Sequence, residues 1–396
     1  MHKIKNIIIF ARASKQKYYE WLEYKLPINC GGLSKNIILN INHLKKHFKT
    51  ALVLLGSSSK ENCLNTDFET VPISFSYKNK LGYYFNIFKL FYKNQILVFK
   101  NLKPHETAVI IHDDLALALL TKLFQPKITL IMCIETNFLS VFFRTDENIV
   151  VRITSTILGL LMPLFVNKIV NIRSDIGLFK TYFRFFNKNV YYLPNGIDKA
   201  IFKPCSGDCK EAVGINGLDE DDKVLLYVGR LNDIAYKNPK LLFQSFEILS
   251  KESKDIKLVI IGMNKEEASS LLDKYKVNNK NINFLDQISN DLLVHYYQRS
   301  DLTLLTSNSE GNPYVILESL SCGTPCVTTN VLNTGVIQHG INGYIVKSKR
   351  PKDFALSVLK GLELSYKIKQ KRQDLLNSVY NQEHREKLLL DLLTSV

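Results

Sequence analysis

Two glutamate residues, Glu310 and Glu318, have the spacing in this chain that most clearly predicts chemistry. They follow an apolar run of strand length at 301–306, and the residues between them have the character of a helix start. Because eight helical residues make about two turns, both carboxylates are expected on one side, Glu310 at the helix mouth and Glu318 deeper. A strand end followed by a helix N-terminus binds anionic groups. The pattern therefore predicts a ligand with phosphate at one end and hydroxyl groups at the other, as in a nucleotide-sugar.

A second polar group follows the apolar run 224–228 and consists of Gly229, Arg230 and Lys237. Glycine lets a ligand approach the backbone, arginine binds phosphate oxygens in a bidentate manner, and lysine acts as a point charge. Lys237 is expected in a polar loop before a helix that begins near Pro239. The alternative is that both cations are solvated on the surface. Their predicted place in the same sheet as the two glutamates favours a diphosphate site.

Candidate residues in the first half of the chain also follow predicted strands. Gly31 and Gly32 lie between the first strand and a helix, where paired glycines permit close approach of phosphate or sugar, although a plain turn explains them as well. His112, Asp113 and Glu135 follow two later strands. Either strand end could position an acceptor hydroxyl or supply a base, and the alternative is a loop residue with satisfied hydrogen bonds.

An acidic stretch, Asp219-Glu220-Asp221, has the Asp-x-Asp form that can bind a metal–diphosphate. It precedes a strand in a very polar segment, so a solvated turn is the favoured interpretation. We therefore expect no catalytic metal and no cofactor, with Arg230 and Lys237 neutralising the phosphates.

The elements that must position these residues are short apolar runs separated by helical patterns. Continuous Val, Ile and Leu runs indicate strands covered on both faces, and their alternation with helices predicts parallel, doubly wound α/β sheets. The runs form two series, at 4–10, 51–55, 71–75, 108–112, 128–134, 168–172 and 190–193, and at 224–228, 257–261, 282–285, 302–306, 325–328 and 344–346.

The two series predict two Rossmann-like domains that face each other across a cleft. The break falls at 194–198, where Pro-Asn-Gly favours a turn and a polar stretch follows. The expected boundaries are an N-terminal acceptor-binding domain at 1–193, a hinge at 194–222, a nucleotide-sugar-binding domain at 223–365, and a C-terminal helix at 366–396 that packs back across the domains.

Positive charge is concentrated in the first half of the 396-residue chain, whose net charge is +15. Residues 1–200 hold 27 Lys and Arg against 13 Asp and Glu, whereas residues 201–396 hold 25 against 24. This asymmetry predicts an anionic partner. No nucleic-acid motif is visible, and Lys alternates with aromatic residues at 77–93, so an anionic membrane surface is expected. The alternative for 77–93 is a surface helix with a solvated Lys face.

No apolar run reaches the roughly 18 residues of a membrane span, and the run at 157–166 fits a buried or an interfacial helix. The first ten residues read as a strand rather than a signal peptide. The seven cysteines are scattered, which favours reduced thiols in a cytosolic protein. The expected location is the cytoplasm, peripherally on the cytoplasmic face of a membrane.

Several motifs of the second half, taken in order, resemble group 1 glycosyltransferases, the family-4, retaining enzymes with the GT-B fold. The segment 194–198 with Phe202 resembles their interdomain signature, and Gly31-Gly32 their first-loop glycines. The motifs are Tyr-Val-Gly-Arg-Leu at 227–231, Lys237, the run 284–288, Ser-Glu-Gly-Asn-Pro-Tyr-Val-Ile-Leu-Glu-Ser at 309–319, Ser-Cys-Gly-Thr-Pro-Cys at 321–326 and Asn-Gly-Tyr at 342–344.

The resemblance implies specific roles for the candidate residues. Glu310 would contact the donor sugar and stabilise the developing oxocarbenium ion, and Glu318 would hold the ribose hydroxyls. Arg230 and Lys237 would stabilise the leaving diphosphate.

The resemblance also implies that Gly311 and Asn312 lie against phosphate or sugar through backbone N–H groups. Members generally need no metal, in agreement with the interpretation of the acidic stretch. Where many members have His after the fifth strand, this chain has Glu135.

The sequence is thus interpreted as a GT-B transferase that moves a sugar from a nucleotide-diphosphate donor to a hydroxyl group with retention. The expected nucleotide of the donor is UDP. The expected acceptor is a lipid-linked or cell-surface glycan, as in lipopolysaccharide or capsule synthesis. Two alternatives stay open: a nucleotide-sugar epimerase of the same architecture, and an inactive nucleotide-sugar-binding protein.

Overall fold

The protein forms two compact units, one made of residues 1–194 and 385–396 and the other of 195–384. The computed structural model describes residues 4–12, 32–55, 69–73, 85–86, 88–89, 92, 102–112, 114–134, 149–172, 177–205, 218–231, 234–277, 280–331, 335–369, 375–376 and 380–394.

The first unit is built on a parallel seven-stranded sheet. Its strands are β1 (Asn6–Arg12), β2 (Lys49–Leu55), β3 (Glu69–Ile73), β4 (Thr107–His112), β5 (Thr129–Ile134), β6 (Lys168–Asn171) and β7 (Val190–Tyr192). The strand order is β3-β2-β1-β4-β5-β6-β7, so the order reverses at the β1–β4 pair. Continuous apolar strands such as β5, which is buried along its whole length, require cover on both faces.

Five helices supply that cover: α1 (Gly32–Leu44), α2 (Leu115–Phe124), α3 (Ile149–Phe165), α4 (Gly177–Phe185) and the C-terminal α11 (Gln382–Thr394). One face of β1, through Ile8 and Phe10, packs in a core with residues of α2, α3 and α4. The other face, through Ile7 and Ile9, packs with residues of α1 and α11. Successive side chains of this strand therefore pack alternately into two separate cores.

The second unit is built on a parallel six-stranded sheet. Its strands are β8 (Lys223–Val228), β9 (Ile256–Ile261), β10 (Ile282–Leu285), β11 (Leu302–Leu305), β12 (Cys326–Thr329) and β13 (Gly343–Val346). The strand order is β10-β9-β8-β11-β12-β13, and the order reverses at the β8–β11 pair.

The helices of this unit are α5 (Ile234–Lys237), α6 (Pro239–Glu252), α7 (Lys265–Tyr275), α8 (Asn290–Arg299), α9 (Tyr314–Ser321) and α10 (Pro351–Lys369). Helices α6, α7 and α10 cover the sheet face that carries Leu225 and Tyr227. Helices α8 and α9 cover the opposite face, which carries Val224 and Leu226. The predicted doubly wound α/β architecture is confirmed in both units.

Several details differ from the sequence-based expectations. Strand β1 lies two residues further along the chain than expected, at Asn6–Arg12. Ile197 and Phe202, from the segment expected to form a hinge, are buried in the core of the second unit. Cys133, Cys322 and Cys326 are free thiols, but the expectation of reduced cysteines is wrong for Cys205, which is disulfide-bonded.

Candidate functional site

The candidate site lies at the carboxyl ends of β8 and β11, where the strand order of the second sheet reverses. Parallel α/β sheets bind ligands at such a point, because the loops leaving the two strands run to opposite faces. Gly229 and Arg230 follow β8, and residues 306–313 connect β11 to α9. The residues predicted to bind a nucleotide-sugar in this half lie on or next to these two connections.

Lys237 and Glu310 form the central contact of the site. The Lys237 ammonium lies 2.6 Å from Glu310 Oε1, and Ser307 Oγ donates to the same oxygen at 2.6 Å. The two charged side chains are 28% and 14% exposed, so solvent screens the pair only in part. Two donors on one carboxylate oxygen fix its direction, and charge-assisted bonds of this length are strong ones.

Lys237 is held by the backbone that surrounds it. It ends the short helix α5, so the expectation of a loop is wrong at this residue. Thr306 Oγ1 donates to the carbonyl of Lys237 at 2.9 Å, and Asn308 N donates to the carbonyl of Tyr236 at 2.6 Å. Asn238, in the left-handed region at φ +48°, then caps α6. These bonds attach α5 to the loop after β11.

Glycine is required where β8 ends. Gly229 has φ +143°, which a side chain would strain, and its N–H donates to the carbonyl of Ile261 at 2.8 Å. Gly262, at φ +106°, follows the neighbouring strand, and a Cβ there would lie 3.3 Å from the carbonyl carbon of Gly229. Two backbones therefore meet closely at the edge of the site. Arg230 follows with an exposed side chain that has no hydrogen-bond or ion-pair partner among the described residues.

Asn312 presents a buried amide in the loop before α9. The residue is 4% exposed, and neither Nδ2 nor Oδ1 has a hydrogen-bond partner within the described part of the chain. Its backbone carbonyl accepts from Asn195 Nδ2 at 2.5 Å, which fixes the loop next to Gly311. A buried amide without partners destabilises the protein, so Asn312 is well suited to bind polar groups of a ligand.

Glu318 is held by a hydrogen bond from the neighbouring helix α8. It is 4% exposed on α9, and Tyr297 OH on α8 donates to its Oε2 at 2.9 Å. Burial, followed by the charge and hydrogen bond of Glu318, raises the pKa of Tyr297 well above its usual value. Tyr297 therefore remains a neutral donor.

The helical spacing expected for the two glutamates is wrong. Helix α9 begins at Tyr314, after Pro313, so Glu310 lies in the preceding loop and shares no helix face with Glu318. What places Glu310 in the site is its contact with Lys237 and Ser307.

The N-terminus of α9 lacks an N-capping side chain and lacks acidic residues in its first turn. Pro313 occupies the capping position without a side-chain hydrogen bond, and the first turn contains no acidic residue. The first N–H groups of a helix have no partner within the helix and favour negative charge. An anionic ligand group would complete this helix end.

The acidic stretch 219–221 lies at the opposite end of the sheet. It forms an exposed turn before β8, and the buried Arg299 donates to the Asp219 carbonyl at 2.8 Å. The amino end of β8 and its carboxyl end are separated by the length of the strand, so this turn is not part of the Lys237–Glu310 site. No group of three or more His, Cys, Asp or Glu residues arranged to hold a metal ion occurs among the residues described above.

The first-half candidates are described only in part. Gly32 begins α1, and His112 ends β4 next to the point where the strand order of the first sheet reverses. Gly31, Asp113 and Glu135 lie outside the described residues. The donor-binding role expected for Gly31 and Gly32 and the acceptor-side roles expected for His112, Asp113 and Glu135 stay predictions.

Four residues of the site were missed by the sequence analysis: Ser307, Asn195, Tyr297 and Gly262. Ser307 is a polar residue directly after a strand and three positions before Glu310, so the local pattern contained a signal for it. Asn195 belongs to the segment that was interpreted as a turn, a hinge and an interdomain signature, without a role for its side chain. Gly262 directly follows the apolar run 257–261, so it had the same local signal as Gly229. Tyr297 has no local signal, because only the packing of α8 brings it to Glu318.

Comparison with known sequences finds a family match within the second unit. Residues 209–381 match the family described as "Glycosyl transferases group 1". The family match therefore applies to the second unit of the chain. The match covers the β8–β11 site with Arg230, Lys237, Glu310 and Glu318, and it leaves the first unit outside the matched range.

A curated relative is similar to about half of the chain. The chain is 29% identical over 212 residues to N-acetyl-alpha-D-glucosaminyl L-malate synthase from Bacillus anthracis, and the alignment covers 51% of this chain and 52% of the relative. The chain thus spans about half the length of that curated relative.

Two solved structures are similar over nearly the whole chain. Sucrose-phosphate synthase from Thermosynechococcus elongatus matches with a TM-score of 0.74 at 14% identity, covering 99% of this chain and 100% of the other. Anabaena HepE, solved with UDP and glucose, matches with a TM-score of 0.65 at 13% identity and the same coverage. At these identities the likeness establishes the fold, and the expected GT-B class is confirmed.

Proposed function

We propose that this transferase moves a sugar from a nucleoside-diphosphate sugar, with UDP as the nucleotide, to an acceptor hydroxyl group, with retention and without a metal ion. The carrying observation is the contact of Lys237 and Ser307 with Glu310 at the switch point of the second sheet. The family match supports glycosyl transfer, and the UDP-bound HepE structure, which shares the fold, supports a UDP donor.

The proposed reaction breaks the bond between the anomeric carbon and the diphosphate oxygen and forms a bond to the acceptor oxygen. The acceptor proton leaves with the departing diphosphate or passes to solvent. Negative charge grows on the diphosphate while positive charge grows on the sugar, so a cation and a carboxylate are both needed.

Lys237 and Glu310 supply these two charges 2.6 Å apart. In the free protein each neutralises the other, so neither charge is buried alone. Lys237, with Arg230, would stabilise the leaving diphosphate, while Glu310 would stabilise the sugar cation.

Donor binding is assigned to the residues around this pair. The Asn312 amide and the N–H groups at the start of α9 would bind phosphate or sugar oxygens, with Gly311 allowing close approach. Glu318, oriented by Tyr297, would accept from the ribose hydroxyls. Gly229 would let the donor reach the backbone at the end of β8.

For the acceptor we propose a hydroxyl group of a lipid-linked or cell-surface glycan. The excess of basic residues in the first half of the chain supports an acceptor presented on an anionic surface. The name of the B. anthracis relative contains malate, so a small carboxylate-bearing alcohol is the rival acceptor class to include in the assay.

A donor screen in EDTA tests this proposal. Purified protein is mixed with UDP-, GDP- and ADP-sugars, and released nucleoside diphosphate and thermal stabilisation are measured. Release with UDP-sugars that survives EDTA and is lost in Lys237→Ala supports the proposal. Absence of binding by any nucleotide-sugar, or activity that EDTA abolishes, would contradict it.

A further inference from the structure

Helix α3 in the first unit exposes a continuous apolar stripe. Ile153, Ile157, Leu160, Leu161 and Leu164 are spaced four, three, one and three residues apart, and each is 44% exposed or more. This spacing places all five on one side of the helix. On the other side Met162 and Phe165 belong to the core. An exposed apolar stripe that the core does not cover marks a surface that binds a second apolar environment.

The exposed apolar surface continues from this stripe onto the neighbouring helix α4. Tyr182 of α4 donates a hydrogen bond to the carbonyl of Leu160, so α4 lies directly beside the stripe. Phe185, one turn further on α4, is 83% exposed. We call the five stripe residues with Phe185 the α3 face.

Positive charge borders the α3 face. Helices α2, α3 and α4 contain Lys122, Arg152, Lys180 and Arg184 and no aspartate or glutamate. Lys122 donates to Ile128 O and Asn167 Oδ1, so it is used within the fold. Lys180 and Arg184 are exposed one helical turn apart on α4, on the element that carries Phe185.

We propose that the α3 face docks onto an anionic lipid bilayer, with α3 lying in the plane of the interface. An apolar stripe bordered by exposed cations is complementary to acyl chains below anionic headgroups. A second copy of this chain fits the face less well, because a symmetric contact would bring Lys180 and Arg184 near their own counterparts. No helix in the described part of the chain is both long and apolar enough to cross a membrane.

The inference adds a partner to the proposed function but does not use the donor site. It also moves the lipid contact from the expected segment 77–93 to α3. Only a few residues of that segment are described, and among them Phe88 packs edge-on against Phe124 of α2 with ring centroids 5.9 Å apart.

The test is vesicle co-sedimentation with two pairs of variants. The apolar variant is Ile157→Glu with Leu164→Glu, and its control is Leu356→Glu on α10, where the leucine is 49% exposed. The charge variant is Lys180→Glu with Arg184→Glu, and its control is Lys352→Glu with Lys360→Glu, also on α10. Vesicles are phosphatidylcholine with or without phosphatidylglycerol. Thermal melting checks folding, and the thermal shift caused by UDP reports the donor site separately.

We expect the wild-type protein and both controls to bind the phosphatidylglycerol vesicles, and added salt to weaken this binding. The apolar variant should lose about tenfold or more in partitioning, and the charge variant should approach the level seen with phosphatidylcholine alone. An unchanged UDP thermal shift in both variants would separate docking from donor binding.

Three results would overturn the inference. Failure of the wild-type protein to bind either vesicle is one, and undiminished binding by both variants is another. The third is a dimer in light scattering that Ile157→Glu with Leu164→Glu dissociates, because that would assign the α3 face to a second copy. If the apolar variant does not fold, the charge variant still decides between these outcomes.

Discussion

Both units wind helices around a parallel sheet whose strand order reverses once, but their buried polar contacts occupy different places. In the second unit, Lys237, Ser307 and Glu310 meet at the reversal point, beyond the carboxyl ends of β8 and β11. In the first unit, the buried polar contacts of the described residues include Arg385 Nη1 to Asn40 Oδ1 at 2.7 Å, between α11 and α1. Similar architecture therefore places buried polar contacts at strand ends in one unit and, in the other, between a terminal helix and the helix beside it.

This difference predicts which polar substitutions should change activity and which should change stability. A polar side chain at a strand end contacts a ligand or a catalytic group, so its loss should change activity more than stability. A polar side chain between two helices on the sheet face holds packing in place, so its loss should change stability with little effect on activity. The four predictions below separate these two consequences.

Glu310→Gln should have the largest effect. The substitution removes the negative charge opposite the proposed sugar cation while keeping the size of the side chain. We expect turnover to fall on the order of 100-fold or more, with the melting temperature nearly unchanged. Steady-state kinetics with the donor found in the screen measure this. The matched control is Glu247→Gln on α6, an exposed glutamate that pairs with Lys251. Wild-type turnover in Glu310→Gln would exclude this carboxylate from the reaction.

Lys237→Ala should rank second. It removes the cation assigned to the diphosphate and leaves Glu310 with Ser307 as its donor. We expect kcat/KM to fall about 10-fold to 100-fold, with weaker UDP binding measured by calorimetry. Lys251→Ala is the control, since its ion pair lies on an exposed helix face. Equal UDP affinity in Lys237→Ala and the wild-type protein would contradict the assignment.

Tyr297→Phe should produce a mixed effect, because Tyr297 positions Glu318 from the core. Loss of the 2.9 Å bond leaves a buried carboxylate oxygen with one donor fewer. We expect the free energy of unfolding to fall by about 1–3 kcal/mol, measured by urea denaturation. The donor KM should rise several-fold while kcat stays within about twofold, which a purely structural role would not produce. Tyr296→Phe, on the same helix, is the control.

His43→Gln should have the smallest effect and should act only on the first unit. His43 Nδ1 lies 2.9 Å from Glu386 Oε2 of α11. Burial lowers the pKa of His43, with His47 and Lys46 acting in the same direction and Glu386 opposing them. The unfolded chain therefore takes up a proton first as the pH falls below about 6.5, so low pH removes stability.

The variant should lose that part of the pH dependence, a change of less than about 1 kcal/mol between pH 7 and pH 5. Urea denaturation at several pH values measures it, with the exposed His47→Gln as the control. Transferase activity at neutral pH should not change. A loss of activity in His43→Gln would break the division of roles between the two units.

The extent to which the sequence predicted the site can be followed residue by residue. Gly229, Arg230, Glu310 and Glu318 follow or flank continuous apolar runs, and such runs mark buried parallel strands whose carboxyl ends carry ligands. The contact between Lys237 and Glu310 could not be predicted, because these residues are 73 positions apart and meet only after β8 and β11 pair. The helical spacing of the two glutamates failed because Pro313 delays the start of α9.

The α3 face is a second case in which the sequence predicted a helix but not which of its residues are exposed. The run 157–166 was compatible with either a buried or an interfacial helix, since its residues are apolar on all sides. The packing of Met162 and Phe165 on the core decided which stripe faces outward. Local hydrophobicity could not predict which side of the helix is exposed.

The sequence by itself determined the alternation of strands and helices, the strand ends that carry polar residues, and the charge difference between the two halves. Each of these depends on residue type and short-range spacing, which the chain carries in one dimension. The tertiary structure decided which polar residues touch: Lys237 with Glu310, Tyr297 with Glu318, and Asn195 with the Asn312 carbonyl. These contacts join distant segments, and only the order of strands in the sheet and the helices packed on it brings their atoms within hydrogen-bonding distance.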